Sequence, residues 1–75
     1  MEIQNFIEKF SEQLEMDENV LDTSTKYREL DEWASLAGLN VLAMIDEEYG
    51  VQLDPDEMRK TNTIQELFDL VQSKQ

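Results

Sequence analysis

The chain has no cysteine and no histidine, and in 75 residues that leaves few ways to hold a fold together. No disulfide can staple it, and a cysteine-based metal site is ruled out. A domain of this length buries only about 60% of the surface its unfolded chain exposes, so stability has to come from packed apolar side chains. Where those side chains fall then decides the architecture, and they fall at helical spacing.

Ile3, Phe6, Ile7, Phe10 and Leu14 form a stripe that predicts a first helix over Glu2 to Leu14. Ser35 to Tyr49 predicts a second. There Leu36, Leu39, Leu42 and Ile45 follow a three-residue step, Val41 and Tyr49 add to the apolar side, and Gly50 stops the helix as its C-terminal cap. Gly38 costs that helix about 1 kcal/mol relative to alanine, and so near the N-terminus it leaves room for something to approach. Asp54 followed by Pro55 starts a short helix that ends near Arg59 or Lys60. Thr63-Ile64-Gln65-Glu66 is a capping box. It opens a last helix that runs to about Val71 on Ile64, Leu67, Phe68 and Val71, with Gln72 to Gln75 expected to fray.

Between the first two helices, Glu15 to Ala34 is a long connection. A loop of that length is unusual in a compact domain unless it is pinned, and Val20, Leu21, Tyr27 and Leu30 are expected to pin it. The expectation is an all-α fold, with one domain over 1–75. It is a small bundle of three main helices plus one short helix, with the long loop between the first and second.

Eighteen acidic residues stand against six basic ones, a formal net charge of −12. Phosphate contacts need Lys and Arg, so nucleic acid is excluded as a partner, and an anionic membrane surface is disfavoured for the same reason. A basic protein surface is the natural counterpart, although the acids also serve simply to keep a small domain soluble. No apolar run is long enough to span a bilayer and no cationic leader precedes one, so a soluble, cytoplasmic protein is expected.

Without histidine there is no serine triad, and no lysine stands near Ser35 in sequence to activate its hydroxyl. The carboxylates lie on polar helix faces, where nothing raises a pKa for general acid work. No catalytic residue and no metal ligand set is assigned. Ser35 at a helix start has two readings. It is a helix cap, or it is a hydroxyl whose phosphate ester would sit against unpaired N–H groups at the positive end of the helix dipole. Asp46, Glu47 and Glu48 crowd the other end of that helix, where the dipole opposes them, which points to a use other than stability.

Taken with the long loop and the short third helix, the stretch Ser35-Leu36, followed by Asp46-Glu47-Glu48 and then Tyr49, resembles the acyl carrier proteins over nearly the whole chain. The resemblance implies that Ser35 receives a 4′-phosphopantetheine arm from coenzyme A. The thiol of that arm carries acyl groups as thioesters in fatty-acid or specialised acyl-chain biosynthesis. By the same resemblance Leu36 is an exposed apolar contact for partner enzymes, Glu47 and Glu48 meet basic partner surfaces, and Leu39, Leu42 and Ile45 surround the acyl cavity. The implied partners are a phosphopantetheinyl transferase and acyl-transferring and chain-extending enzymes with basic docking surfaces, engaged by a monomer. There are departures. Ala34 stands where the family has the aspartate of its Asp-Ser-Leu motif, Asn40 stands where an acid is frequent, and Trp33 is more like specialised carriers. The alternative is a carrier-fold module that is never modified and binds a basic partner through the same acidic face.

Overall fold

The computed structural model describes residues 2–75, with Ser35 described through its backbone alone. The elements are α1 (Ile3–Gln13), α2 (Ser35–Tyr49), α3 (Pro55–Met58) and α4 (Ile64–Ser73). Two 3-10 turns, Glu18–Val20 and Tyr27–Glu29, punctuate the long loop. α1 packs on α2 and on α4.

α1 buries Phe6, Ile7 and Phe10, and Leu14 closes the same stripe one residue beyond the helix. The helix stops earlier than its apolar pattern. Glu15 turns to φ +55, a left-handed conformation in which a glycine would be expected, and the Met16 N–H folds back to the Ser11 carbonyl. α2 stops as expected: Gly50 has φ 67 and donates its N–H to the Asp46 carbonyl at 2.9 Å.

The three-residue step along α2 is not one face. Each step of three residues rotates about 60° back around a 3.6-residue helix, so the series winds across the surface. Leu36 is 70% exposed, Leu39 59%, Leu42 is half-buried and Ile45 is fully buried. The face that enters the core is Ala37, Val41, Met44 and Ile45, spaced by fours and threes.

α3 starts with a capping box. The Asp54 side chain accepts from the Asp56 N–H, and Glu57 reaches back to the Asp54 N–H. Lys74 ties this short helix to α4 through Glu57 at 2.6 Å. Before it, Val51 and Leu53 are buried on either side of exposed Gln52, an extended link with alternate residues turned inward.

α4 has all four N-terminal donors satisfied. Ile64 and Gln65 donate to the carbonyls of Thr25 and Thr23 in the loop, Glu66 to the Thr63 hydroxyl, and Thr63 to the Glu66 carboxylate. The helix continues to Ser73, so the fraying expected from Gln72 onward does not begin there. The Lys74 N–H closes on Val71, and the Gln75 side chain donates to the Tyr49 carbonyl.

The loop is pinned by three of the four residues expected to do so. Leu21 and Tyr27 are buried and Leu30 packs against the core, whereas Val20 is 64% exposed and pins nothing. The Tyr27 hydroxyl shares a short hydrogen bond with Thr61 Oγ1 and reaches the Met58 carbonyl at 3.0 Å. Lys26 and Thr63 form an isolated antiparallel bridge.

Candidate functional site

The N-cap of α2 is Ala34, in extended conformation, and it supplies no side-chain acceptor. Ser35 is therefore the first residue inside the helix rather than its cap, which corrects the capping reading of this serine. Its hydroxyl lies outside the described residues. No acidic residue occupies the first turn. Among the described residues, the positive end of the α2 dipole thus has no side-chain cap from Ala34 and no acid in its first turn, a setting that favours an anion.

Beside this end runs a groove of about 370 Å³. Trp33, Gly38, Leu39, Leu42 and Met58 form its apolar walls, Ala34 stands at the α2 end, and Arg28 and Arg59 complete the lining with Pro55. The indole lies against the helix at Gly38, where a Cβ would stand 3.4 Å from Trp33 Cζ2 and 3.5 Å from Met58 Cε, ordinary contact distances. Leu39 and Leu42 line the groove. Ile45 does not: the drift of the three-residue step carries it into the core.

Arg28 donates from Nη2 to the Asn62 amide oxygen at 2.6 Å, and Arg59 pairs with Asp56. Neither arginine was singled out in the sequence, where they stand far apart; only the fold brings these two of six cationic residues to one groove. Trp33 was noted there only as a family departure. Its placement depends on packing, which local sequence does not display.

Leu36 stands outside the groove on the exposed side of α2. Asp46, Glu47 and Glu48 are exposed at the other end of the helix, whose last turn holds no basic residue. Glu48 is not free, because Lys9 of α1 approaches it to 3.1 Å. The hydrogen bond and charge of Glu48 hold the Lys9 ammonium above its ordinary pKa. Tyr49 packs its ring on Phe6, and burial pushes its phenol up. Among the described residues no three acids come together to hold a metal ion. Nor is any helix among the described residues long and apolar enough to cross a membrane.

The group that the resemblance calls for can be tested against this geometry. It needs a serine at a helix start, a place for a phosphate and a sheltered route for a thioester. The first is met by the Ser35 backbone, the second by the α2 terminus with its acid-free first turn, and the third by the groove that Ala34 helps to line.

Comparison with known proteins agrees. A family model described as the phosphopantetheine attachment site matches residues 4–71. The chain is also similar to the holo acyl carrier protein of Geobacter metallireducens, solved in solution by NMR. The TM-score is 0.79 at 25% sequence identity, over 96% of this chain and 83% of that one. No curated protein matches the sequence. The chain thus has the acyl carrier fold, its prosthetic group is 4′-phosphopantetheine, and it is a carrier rather than a catalyst. It belongs to the phosphopantetheine attachment-site family.

Proposed function

We propose that residues 1–75 act as one acyl carrier domain whose arm is attached at Ser35. The observation that carries this reading is the position of Ser35 as first residue of a helix whose N-cap Ala34 supplies no side-chain acceptor and whose first turn holds no acid, next to the groove. The arm supplies a thiol on a long tether, which holds acyl groups as thioesters. This chain contributes the rest. The serine oxygen gains a bond to phosphorus as coenzyme A loses its adenosine bisphosphate, and the serine proton leaves to a base on the transferase. The N–H groups at the start of α2 offset the phosphate charge. Leu39 and Leu42 offer apolar walls to the cargo, Leu36 an exposed apolar contact, and Glu47 and Glu48 a charge that attracts basic enzymes.

On this reading the partners are a phosphopantetheinyl transferase and acyl-transferring and chain-extending enzymes of fatty-acid or specialised acyl-chain biosynthesis. They are met by a monomer in the cytoplasm. Ala34 favours one competing reading, an unmodified docking module, because the acid of the family's motif is missing where the transferase would meet it.

Incubation with coenzyme A and a broad-specificity transferase separates the two. Intact mass should rise by one phosphopantetheinyl group, and Ser35→Ala should abolish the rise. No added mass with any transferase tried would favour the docking module.

A further inference from the structure

The groove departs from the charge of the rest of the molecule. Eighteen of 75 residues are acidic, yet no carboxylate lines this groove and two guanidiniums do. The two differ. Arg59 shares its charge with Asp56. Arg28 is held in place by the neutral amide of Asn62 and forms no ion pair among the described residues. Its acidic neighbour Glu66 feels this charge but forms no salt bridge with it, and its Oε1 accepts from the N–H groups of Asn62 and Thr63 at 2.6 and 3.1 Å. Arg28 is thus oriented but not neutralised. A guanidinium in that state offers a two-pronged donor set suited to a carboxylate.

The apolar walls suit methylenes, while the cation suits an anion at the end of a short chain. We infer that the groove takes a short acyl cargo that ends in a carboxylate, with Arg28 as the partner of that carboxylate. The inference rests on the reading of Ser35 as the attachment point. A cargo tethered there meets the groove at an effective concentration on the order of millimolar, so a modest intrinsic affinity suffices. The phosphate of the arm is the other anion at hand. It lies next to the serine, where the α2 N–H groups already serve it, and it brings no methylenes to apolar walls.

Trp33 is the only tryptophan and lines the groove, so its fluorescence reports occupancy directly. In the first arm of the test, the unmodified chain is titrated with the glutaryl and the hexanoyl thioesters of N-acetylcysteamine. Glutaryl should bind at least fivefold more tightly. Arg28→Gln should remove that preference, and Arg28→Lys should keep part of it.

In the second arm, the chain is loaded from glutaryl-, hexanoyl- and unacylated coenzyme A, with loading verified by mass, and then melted. The glutaryl form should melt highest, and Arg28→Gln should erase its margin over hexanoyl. Equal affinity for the two thioesters, or a preference that survives Arg28→Gln, overturns the inference. So does an equal loss of melting temperature in all three loaded forms on Arg28→Gln, which would assign the guanidinium to the arm's phosphate. If no mass is added while the free thioesters still discriminate, the attachment at Ser35 fails and the groove's preference stands.

Discussion

The indole of Trp33 lies parallel to the ring of Phe10, with 6.1 Å between centroids and 4° between planes. Tyr27 meets the same indole edge-on at 5.0 Å. One face of Trp33 therefore belongs to the core, while its outer edge crosses Gly38 and walls the groove. Parallel-offset and edge-to-face pairs of this kind contribute about 0.5–1.5 kcal/mol beyond the area they bury. Groove shape and core packing are thus set by the same side chain.

Filling the groove and filling the core should have different outcomes. Leu42→Trp should fold and should cancel the rise in melting temperature that acylation brings. Ile45→Trp should instead overpack the core and destabilise the protein by about 1–3 kcal/mol whether or not it is acylated. At Gly38 a methyl group meets ordinary van der Waals distances, so Gly38→Ala should stabilise α2 by up to about 1 kcal/mol. Melting curves of the unmodified and acylated forms check all three. A Leu42→Trp protein that still gains from acylation would place the chain elsewhere.

Tyr27→Phe keeps the aromatic packing and deletes one buried hydroxyl. Its partners are not stranded, because Thr61 Oγ1 already donates to the Met58 carbonyl at 2.7 Å. The cost should therefore be that of one ordinary hydrogen bond, about 1 kcal/mol. That is a fall in Tm of about 4–8 °C for a domain this small. A loss several times larger would mean that the hydroxyl organises the whole loop.

Glu47 and Glu48 should separate under charge reversal. Both reversals should slow association with a basic partner. Glu47→Lys should leave stability almost unchanged, whereas Glu48→Lys places a second ammonium beside Lys9 and should lower Tm. Stopped-flow association and melting of the two variants test this. Equal Tm values would show that the Lys9 pair contributes nothing.

The helices of this protein were legible because their apolar stripes are long and their ends carry side-chain signals: Thr63 with Glu66, Asp54 with Pro55, and Gly50. The end of α1 was not, because a glutamate at position 15 does a glycine's work and gives no warning of it. Val20 and Leu21 are adjacent and equally apolar, and only the path of the backbone decides which one is buried. Ile45 was grouped with Leu36, Leu39 and Leu42 because a step of three looks like one face in a line of letters, although it is a spiral on a helix. The arginines of the groove come from the loop and from the end of α3, and no local pattern joins them. For Ser35 the sequence indicated the helix start correctly but left open whether the serine itself caps it; the cap position is Ala34.

Ala34→Asp should restore the missing cap of α2, worth about 1 kcal/mol. It should also raise the initial rate of phosphopantetheine transfer to Ser35 at least tenfold, on the order of 1.4 kcal/mol in the barrier. Mass-resolved time courses of the parent and the variant give the ratio. Equal rates would mean that the acid is unimportant to attachment in this chain.

Acid should expose the contribution of Glu66. The N–H groups of Asn62 and Thr63 hold its carboxyl below the ordinary 4.5. A carboxyl whose folded pKa is lowered stabilises the fold above its unfolded pKa and stops doing so as pH falls through the folded one. Glu66→Gln retains an acceptor oxygen and loses the charge. The parent should therefore melt above Glu66→Gln at neutral pH, and the gap should close on acidification below about 4.5. A gap that is constant from pH 7 to 3 would exclude this.

The two loop carbonyls that cap α4 also set where this molecule can open. Thr23 and Thr25 cannot leave without stranding the amides of Ile64 and Gln65, so that half of the loop and the last helix must unfasten together. Hydrogen exchange at those two amides is consequently a clock for the whole clasp. Asp31 to Ala34 has no such tie to α4, and its Trp33 and Ala34 N–H groups turn back only onto Leu30 and Glu32. That stretch is held instead by Trp33, packed on Phe10 and Tyr27, so it can open only where this corner of the core opens with it.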